Sequence, residues 1–205
     1  MNKTVFVIMA SYLGQYPGCS QNREFKFCRA VDSFLSNKYE PKKLIIVADG
    51  CDITERLYNE KYRDNPEIVF LRVEKQVPFG GGVRNKGLEY AKAHGDPSDI
   101  VCYLDTDDRF GERHIEKITP YFGDSDFVIY DTHRYSPQGW YISKVALMAC
   151  HIGTSSFAHK LGLEASWEDG YGHDWKMMDA LSQRYKYVEI PMPEYYIHHT
   201  PNSDC

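Results

Sequence analysis

The 205-residue sequence has no apolar run approaching the ~20 residues that a membrane-spanning helix needs, so no integral membrane segment is expected. No CxxC pair occurs among Cys19, Cys28, Cys51, Cys102, Cys150 and Cys205, which argues against a zinc ribbon. Positive charge is also short. Against 29 Asp and Glu stand 24 Lys and Arg, a net charge of −5, so no nucleic-acid partner is expected. Repeats and low-complexity tracts are absent. The apolar run at residues 5–10 is too short for a signal-peptide core and leads directly into polar chain, so it reads as a first core strand. Without a leader, the thiols read as reduced and the protein as cytoplasmic, a location compatible with peripheral membrane association. Cys28 and Cys102 lie in apolar patterns and read as small core hydrophobes.

What is present is ordinary globular material, 42% hydrophobic and 26% charged, enough for one domain with a full core. Aromatic residues are abundant, with 16 Tyr, 10 Phe and 3 Trp, rings that suit a core and also sugar or base stacking. The first half alternates strand and helix. Strands are expected at 4–10, 43–49, 68–73 and 100–105. Helices are expected at 22–36, where Phe27, Val31, Phe34 and Leu35 recur at helical spacing, and at 54–64 and 85–95. This pattern predicts a parallel sheet covered on both faces. The second half is less regular, with strands expected at 127–135, 142–149 and 186–193 and a helix at 174–185. The expected fold is a single α/β domain over 1–205, a mostly parallel mixed sheet flanked by helices.

In such sheets ligands bind beyond the carboxyl ends of the strands. Ser11 and Tyr12 follow the first strand, Asp49 ends the second, and Asp105, Asp107 and Asp108 end the fourth. Clustered carboxylates suit a hard cation such as Mg²⁺ or Mn²⁺, and equally a solvated turn capping a helix that begins near Glu112. An EF-hand with Asp105 first and Glu116 twelfth fails, because Gly111 falls one place late and a strand precedes the loop. In FGGGVRNKG (79–87) the glycines permit close backbone approach to a ligand and Arg84 can pair with an anion. It is neither a Walker loop, since Leu88 follows Gly87, nor G-x-G-x-x-G, since Asn85 holds the last glycine position. SWEDGYGHDWKMMDAL (166–181) offers Glu168, Asp169, His173 and Asp174 before a helix, as a general base or as caps. In YYIHHTPNS (195–203), His198 and His199 face opposite sides of a strand, so one of them joins a given site.

In this order the clusters resemble the GT-A glycosyltransferases, and among them the inverting family-two group, over nearly the whole chain. The resemblance implies a Rossmann-like nucleotide-diphospho-sugar transferase fold, with a donor half at about 1–108 and an acceptor and catalytic half at 109–205. VFVIMASY is similar to the family's opening strand and nucleotide-contacting loop, which assigns Ser11 and Tyr12 to the donor. RAVDSFLSNKYEPKKLIIVADGCDIT resembles its helix and Asp-Gly-Ser strand end. Asp49 survives there as the base-contacting carboxylate, with Ala48 for the first Asp and Cys51 for Ser. GGGVRNKGLEYA resembles the Ala-Arg-Asn-x-Gly segment and carries over Arg84 and Asn85. YLDTDD is similar to Leu-Asp-x-Asp-Asp, which makes Asp107 a metal ligand and Asp105 a contact of the ribose or the metal shell. HIGTSSF (151–157) resembles the strand-and-loop that lines the acceptor side. GYGHDWKMMDAL resembles the Glu-Asp-Trp segment, with Asp174 as catalytic base, His173 replacing Glu, and Trp167, His173 and Trp175 on the acceptor side. Glu168-Asp169 is a nearby competitor that lacks the following Trp. The ending resembles Tyr-Tyr-x-x-His-x-x-x-Ser, giving His198, by spacing over His199, to the metal.

The implied reaction moves a sugar from a nucleotide-diphosphate sugar to the hydroxyl of a glycan or other acceptor, with Mn²⁺ or Mg²⁺. Uracil is the expected base, ahead of guanine or thymine, its N3–H donated to Asp49 and its ring stacked on Tyr12. The chain stops soon after the His segment, so a near-minimal catalytic unit is expected. A nucleotidyltransferase acting on sugar phosphates ranks lower, because SYLGQYPG lacks a basic glycine-rich triphosphate loop. A non-catalytic nucleotide-binding module is disfavoured by the joint presence of Asp49, Arg84, Asp107 and Asp174.

Overall fold

The apolar run that opens the chain forms β1 (Val5–Ser11), and its side chains divide strictly between two cores. Val5, Val7 and Met9 join one, with Phe27, Val31 and Phe34 of α1 (Arg23–Leu35). Phe6 and Ile8 join the other, with Val83, Leu88 and Ala91 of α3 (Gly81–His94). A strand covered on both faces must be apolar at every position, which is why the run is unbroken. The same division holds in β2 (Lys42–Asp49), where Leu44 and Ile46 face one core and Ile45 and Val47 the other.

This computed structural model describes residues 2–76, 80–149, 151–191 and 194–198. The remaining first-half elements are α2 (Asp52–Lys61), β3 (Ile68–Val73) and β4 (Ile100–Tyr103). After β4 come β5 (Arg109–Phe110), α4 (His114–Ile118), β6 (Phe127–Tyr130), β7 (Thr132–Ser136) and β8 (Gly139–Ser143). The chain continues through β9 (Phe157–Lys160), α5 (His173–Ser182), β10 (Tyr187–Ile190) and β11 (Tyr195–Ile197). The main sheet has seven strands in the order β10-β6-β9-β4-β1-β2-β3. Its pairs are parallel except around β9, which runs antiparallel to both β4 and β6. A second sheet has the order β5-β11-β7-β8. Among the described residues no helix is long and apolar enough to cross a membrane.

The second half departs from expectation. The stretch 127–135 is two strands in two sheets, broken at Asp131. That carboxylate is buried, accepting the Val145 N–H at 3.0 Å and Lys144 Nζ at 2.7 Å, so the break is fixed by contacts 13 and 14 residues away. The strand expected at 142–149 ends at Ser143 as one arm of the β7–β8 hairpin. The strand expected within 151–157 starts only at Phe157, as β9, and runs on to Lys160. Cys102 packs in the core and Cys28 only partly so. The cysteines among the described residues are free, while Cys150 and Cys205 lie outside them.

His114 of α4 lies in the core with its ring stacked on Phe110 at 4.2 Å and edged by Tyr130 at 5.1 Å. Neither ring nitrogen has a hydrogen-bond partner among the described residues, and burial pushes the imidazole down to about 3. The folded chain therefore keeps His114 neutral to about pH 3, whereas an unfolded chain protonates it near pH 6.5. The unfolded state binds more protons in that window, so stability falls as pH drops through it, by ~1.4 kcal/mol per unit for this one group. His159, pushed down to about 4 by burial, adds a second such term. His114→Phe keeps the ring stack and removes the unpaired polar atoms, so it should stabilise the chain by ~1–3 kcal/mol at pH 5 and shorten the acid limb. Urea titrations at pH 5 and 7 check this. The same pH slope in both proteins would contradict it.

Candidate active site

Parallel pairing in register brings the carboxyl ends of β1, β2 and β4 to one rim: Ser11 lies beside Ala48, and Ile8 beside both Ile45 and Tyr103. On that rim opens a cavity of about 750 Å³ lined by Ser11, Tyr12, Asp49, Arg84, Asp105 and Asp107, with Lys75 and Arg23 among the further wall residues. Ser11 is buried with its hydroxyl on Thr54 Oγ1 at 2.8 Å, so it braces α2 while facing the cavity. Arg23 donates to the carbonyls of Tyr12 and Gly14 and lies 4.7 Å from the Tyr16 ring, which fixes the loop after β1. Asp49 is 5% exposed; its Oδ1 accepts the Gln76 N–H at 2.6 Å and its Oδ2 is paired with Lys75. The Lys75 ammonium also lies over the Tyr12 ring, 4.0 Å from its centroid.

The three carboxylates of the acidic turn occupy three environments. Asp105 accepts Arg84 Nη2 at 2.9 Å, and its N–H donates to the Tyr195 hydroxyl at 3.0 Å. Asp107 lines the cavity, its carbonyl held by Arg29 Nη2 of α1 at 3.0 Å. Asp108 is turned inward, 3% exposed, and accepts the His198 N–H at 2.8 Å. Burial, followed by the charges of Asp107 and Asp105, holds the Asp108 carboxyl well above the usual carboxylate range, against the opposing pull of the His198 N–H and the Tyr195 hydroxyl. Asp108 is thus the anchor that ties the end of the chain to the acidic turn.

His198 serves the same anchoring. Its carbonyl accepts the fully buried Lys26 Nζ at 2.9 Å. Its ring is buried, edged by Trp140 at 4.7 Å, and its Nε2 accepts Arg109 Nε at 3.2 Å. A nitrogen whose lone pair already takes an N–H is not presented to a cation. As placed, Nε2 does not offer the lone pair that the expected metal role of His198 would use, and His199 lies outside the described residues.

Asn85 is likewise turned away from the cavity. Its Nδ2 donates to the Trp167 carbonyl and its Oδ1 accepts the Trp167 N–H, both at 2.8 Å. A side-chain amide that satisfies one residue's backbone at both ends is a clamp, so the donor-binding role is corrected to a positioning one. Gly81 serves the same junction. A Cβ on Gly81 would come within 2.2 Å of the Glu168 carbonyl oxygen, so close approach here is to the 165–170 loop.

That loop leads to the proposed base. Trp167 is 3% exposed, packed against Tyr103, Phe157 and His173, with Arg84 over its ring at 5.0 Å. His173 is buried as well, and burial, then the Arg84 charge, holds its imidazole below the usual range, with Asp174 and Asp105 partly offsetting. Trp167 and His173 thus back the site from within, correcting the acceptor-side expectation for both. Trp175 is half-buried against the same core. Asp174 sits in the first turn of α5, partly exposed, its Oδ1 on the Trp175 N–H at 2.8 Å. Its Oδ2 points to the segment after residue 150: a Cβ on Gly153 would lie 3.8 Å away. The exposed ring nearby is Tyr171, 81% accessible, between Gly170 and Gly172.

Among the described residues no group of three His, Cys, Asp or Glu stands ready to hold a metal. Asp107, with Asp105 two residues away on one cavity wall, fits a hard cation of the Mg²⁺ type, which takes one or two carboxylates and completes its shell with substrate phosphate and water. Lys75, Lys26 and Arg29 escaped the sequence reading. Only Lys75 had a signal, standing just past the end of a predicted strand on the Asp49 rim.

A family model described as "Glycosyl transferase family 2" matches residues 19–182. In structure the chain is similar to residues 1–349 of TarS from S. aureus, with a TM-score of 0.71 at 15% identity, covering 96% of this chain and 60% of that one. TarS in complex with UDP gives 0.73 at 16% identity over 96% and 60%. TarS in complex with UDP-GlcNAc gives 0.70 at 16% identity over 96% and 58%. The chain therefore spans about three-fifths of the length of these solved chains. No curated protein matches it by sequence.

Proposed function

The chain belongs to glycosyl transferase family 2, and on that premise we propose that it moves a sugar from a UDP-sugar to an acceptor hydroxyl, with a divalent cation (Mn²⁺ or Mg²⁺) and inversion at the anomeric carbon. The observation that carries this reading is the single cavity whose walls include Tyr12 and Asp49 together with Arg84, Asp105 and Asp107. An aromatic face and a carboxylate acceptor suit a base with an N–H on its edge. TarS, which shares the fold, has been solved with UDP and with UDP-GlcNAc, and that supports uracil as the base.

The chemistry divides among the chain's own residues. Tyr12 and Asp49 bind and orient the base. Arg84, held by Asp105 and by the Trp167 ring, supplies a fixed positive charge at the inner wall of the cavity. Asp107, with Asp105 beside it, would hold the cation, which when bound offsets the charge that grows on the departing diphosphate. Asp174 takes the proton of the acceptor hydroxyl as its oxygen bonds to the anomeric carbon and the bond to the diphosphate breaks. Attack from the face opposite the leaving group inverts that carbon.

The test is release of nucleoside diphosphate from UDP-, GDP- and dTDP-sugars, with and without Mn²⁺, in the absence of acceptor. Slow UDP release that requires the cation is expected. Release from GDP-sugars with none from UDP-sugars would overturn the base assignment, and equal release without any divalent ion would overturn the cation.

A further inference from the structure

The Lys75 ammonium occupies the place the proposed base would take. It covers the Tyr12 ring at 4.0 Å and pairs with Asp49 Oδ2, so it meets both groups that the base would meet. Its backbone is fixed there: Gly50, at φ +60°, lets the chain after β3 pass so close that a Cβ on Gly50 would lie 2.9 Å from the Lys75 nitrogen. Asp49 is pinned independently by the Gln76 N–H at 2.6 Å. A bound base must push the ammonium off the ring, yet the side chain is 48% exposed and long enough to stay beside Asp49 when it moves.

We infer that Lys75 is a specificity-determining residue that reads the edge of the donor base jointly with Asp49. This rests on the nucleotide-donor reading above. Each carboxylate oxygen has a second lone pair, so Asp49 can accept a base N–H while keeping Gln76 and Lys75. The displaced ammonium, a pure donor, then faces the atom flanking that N–H and requires an acceptor there. Together the pair selects an N–H next to a carbonyl, an edge that uracil presents and cytosine lacks. Cytosine, equal in size, offers an acceptor nitrogen to the carboxylate, and an amine to an ammonium standing on its 4-position side. Because Asp49 is pinned and stacking holds the base, the edge is read in one register.

Calorimetry with UDP and CDP, each with Mn²⁺, on wild type, Lys75→Met and Lys75→Arg tests this. Wild type should prefer UDP. Lys75→Met loses one charge-assisted donor, so the UDP-to-CDP affinity ratio should fall about tenfold, mainly through weaker UDP binding. Lys75→Arg keeps a cationic donor and should keep most of the ratio. An unchanged ratio in Lys75→Met, with its melting temperature unchanged, would overturn the role of Lys75 while leaving the donor reading standing. Wild type binding CDP as tightly as UDP would do the same. Wild type binding neither nucleotide would overturn the donor reading and this inference together.

Discussion

Asp174→Asn should leave UDP affinity within about twofold of wild type and cut sugar transfer by ~10²–10⁴-fold, the usual contribution of a positioned general base. The substitution is nearly isosteric. Its side-chain oxygen can still accept the Trp175 N–H that Asp174 Oδ1 takes at 2.8 Å, so the first turn of α5 has no reason to move. What is lost is the second oxygen's capacity to take a proton, on the side that faces Gly153. The effect should fall on kcat with little change in KM for the donor, the signature of an interaction made only in the transition state. Transfer at the wild-type rate would remove Asp174 from the reaction and return attention to the Glu168-Asp169 pair.

Asp107→Asn should separate the two ends of the donor. With Mn²⁺ present, UDP binding should weaken at least about tenfold, because a carboxylate that holds the bridge to the diphosphate is gone. Uridine, which has no diphosphate, should bind as it does to wild type. The substitution leaves the Asp107 carbonyl to Arg29 intact and does not touch the buried Asp108 anchor, so melting should change little. Equal UDP affinities for the two proteins in Mn²⁺ would show that the cation is held without Asp107.

The first half of the fold is legible because its elements declare themselves locally. The strands β1, β2 and β4 are buried on both faces, so their unbroken apolar runs admit one reading. The second half depends on partners far away in sequence. Asp131 breaks 127–135 because Lys144 and Val145 come to meet it. Strand β9 is a strand because β4 and β6 stand on either side of it, and its polar His159 is satisfied by the Tyr103 hydroxyl at 2.8 Å.

The site divides in the same way. Asp49, Arg84, Asp105 and Asp107 lie on the rim that strand ends predict, whereas residue type alone misassigns side chains whose partners appear only on folding. Asn85 looks like a ligand contact until both ends of its amide are found on Trp167. His198, expected at the metal, has its Nε2 taken up by Arg109 and its ring edged by Trp140. Lys75 is an unremarkable lysine until the chain after β3 passes close by Gly50 and its ammonium comes to lie over Tyr12.

The Asn85–Trp167 clamp also bears on how this enzyme class can be recombined. A division of the chain at about residue 108 would sever that clamp, along with the packing of Gly81 on Glu168. A chimaera that imports a foreign segment from residue 109 onward would carry a loop with no Asn85 amide waiting for its backbone. A transferable unit therefore either begins beyond Gly170 or brings α3 as far as Asn85 with it.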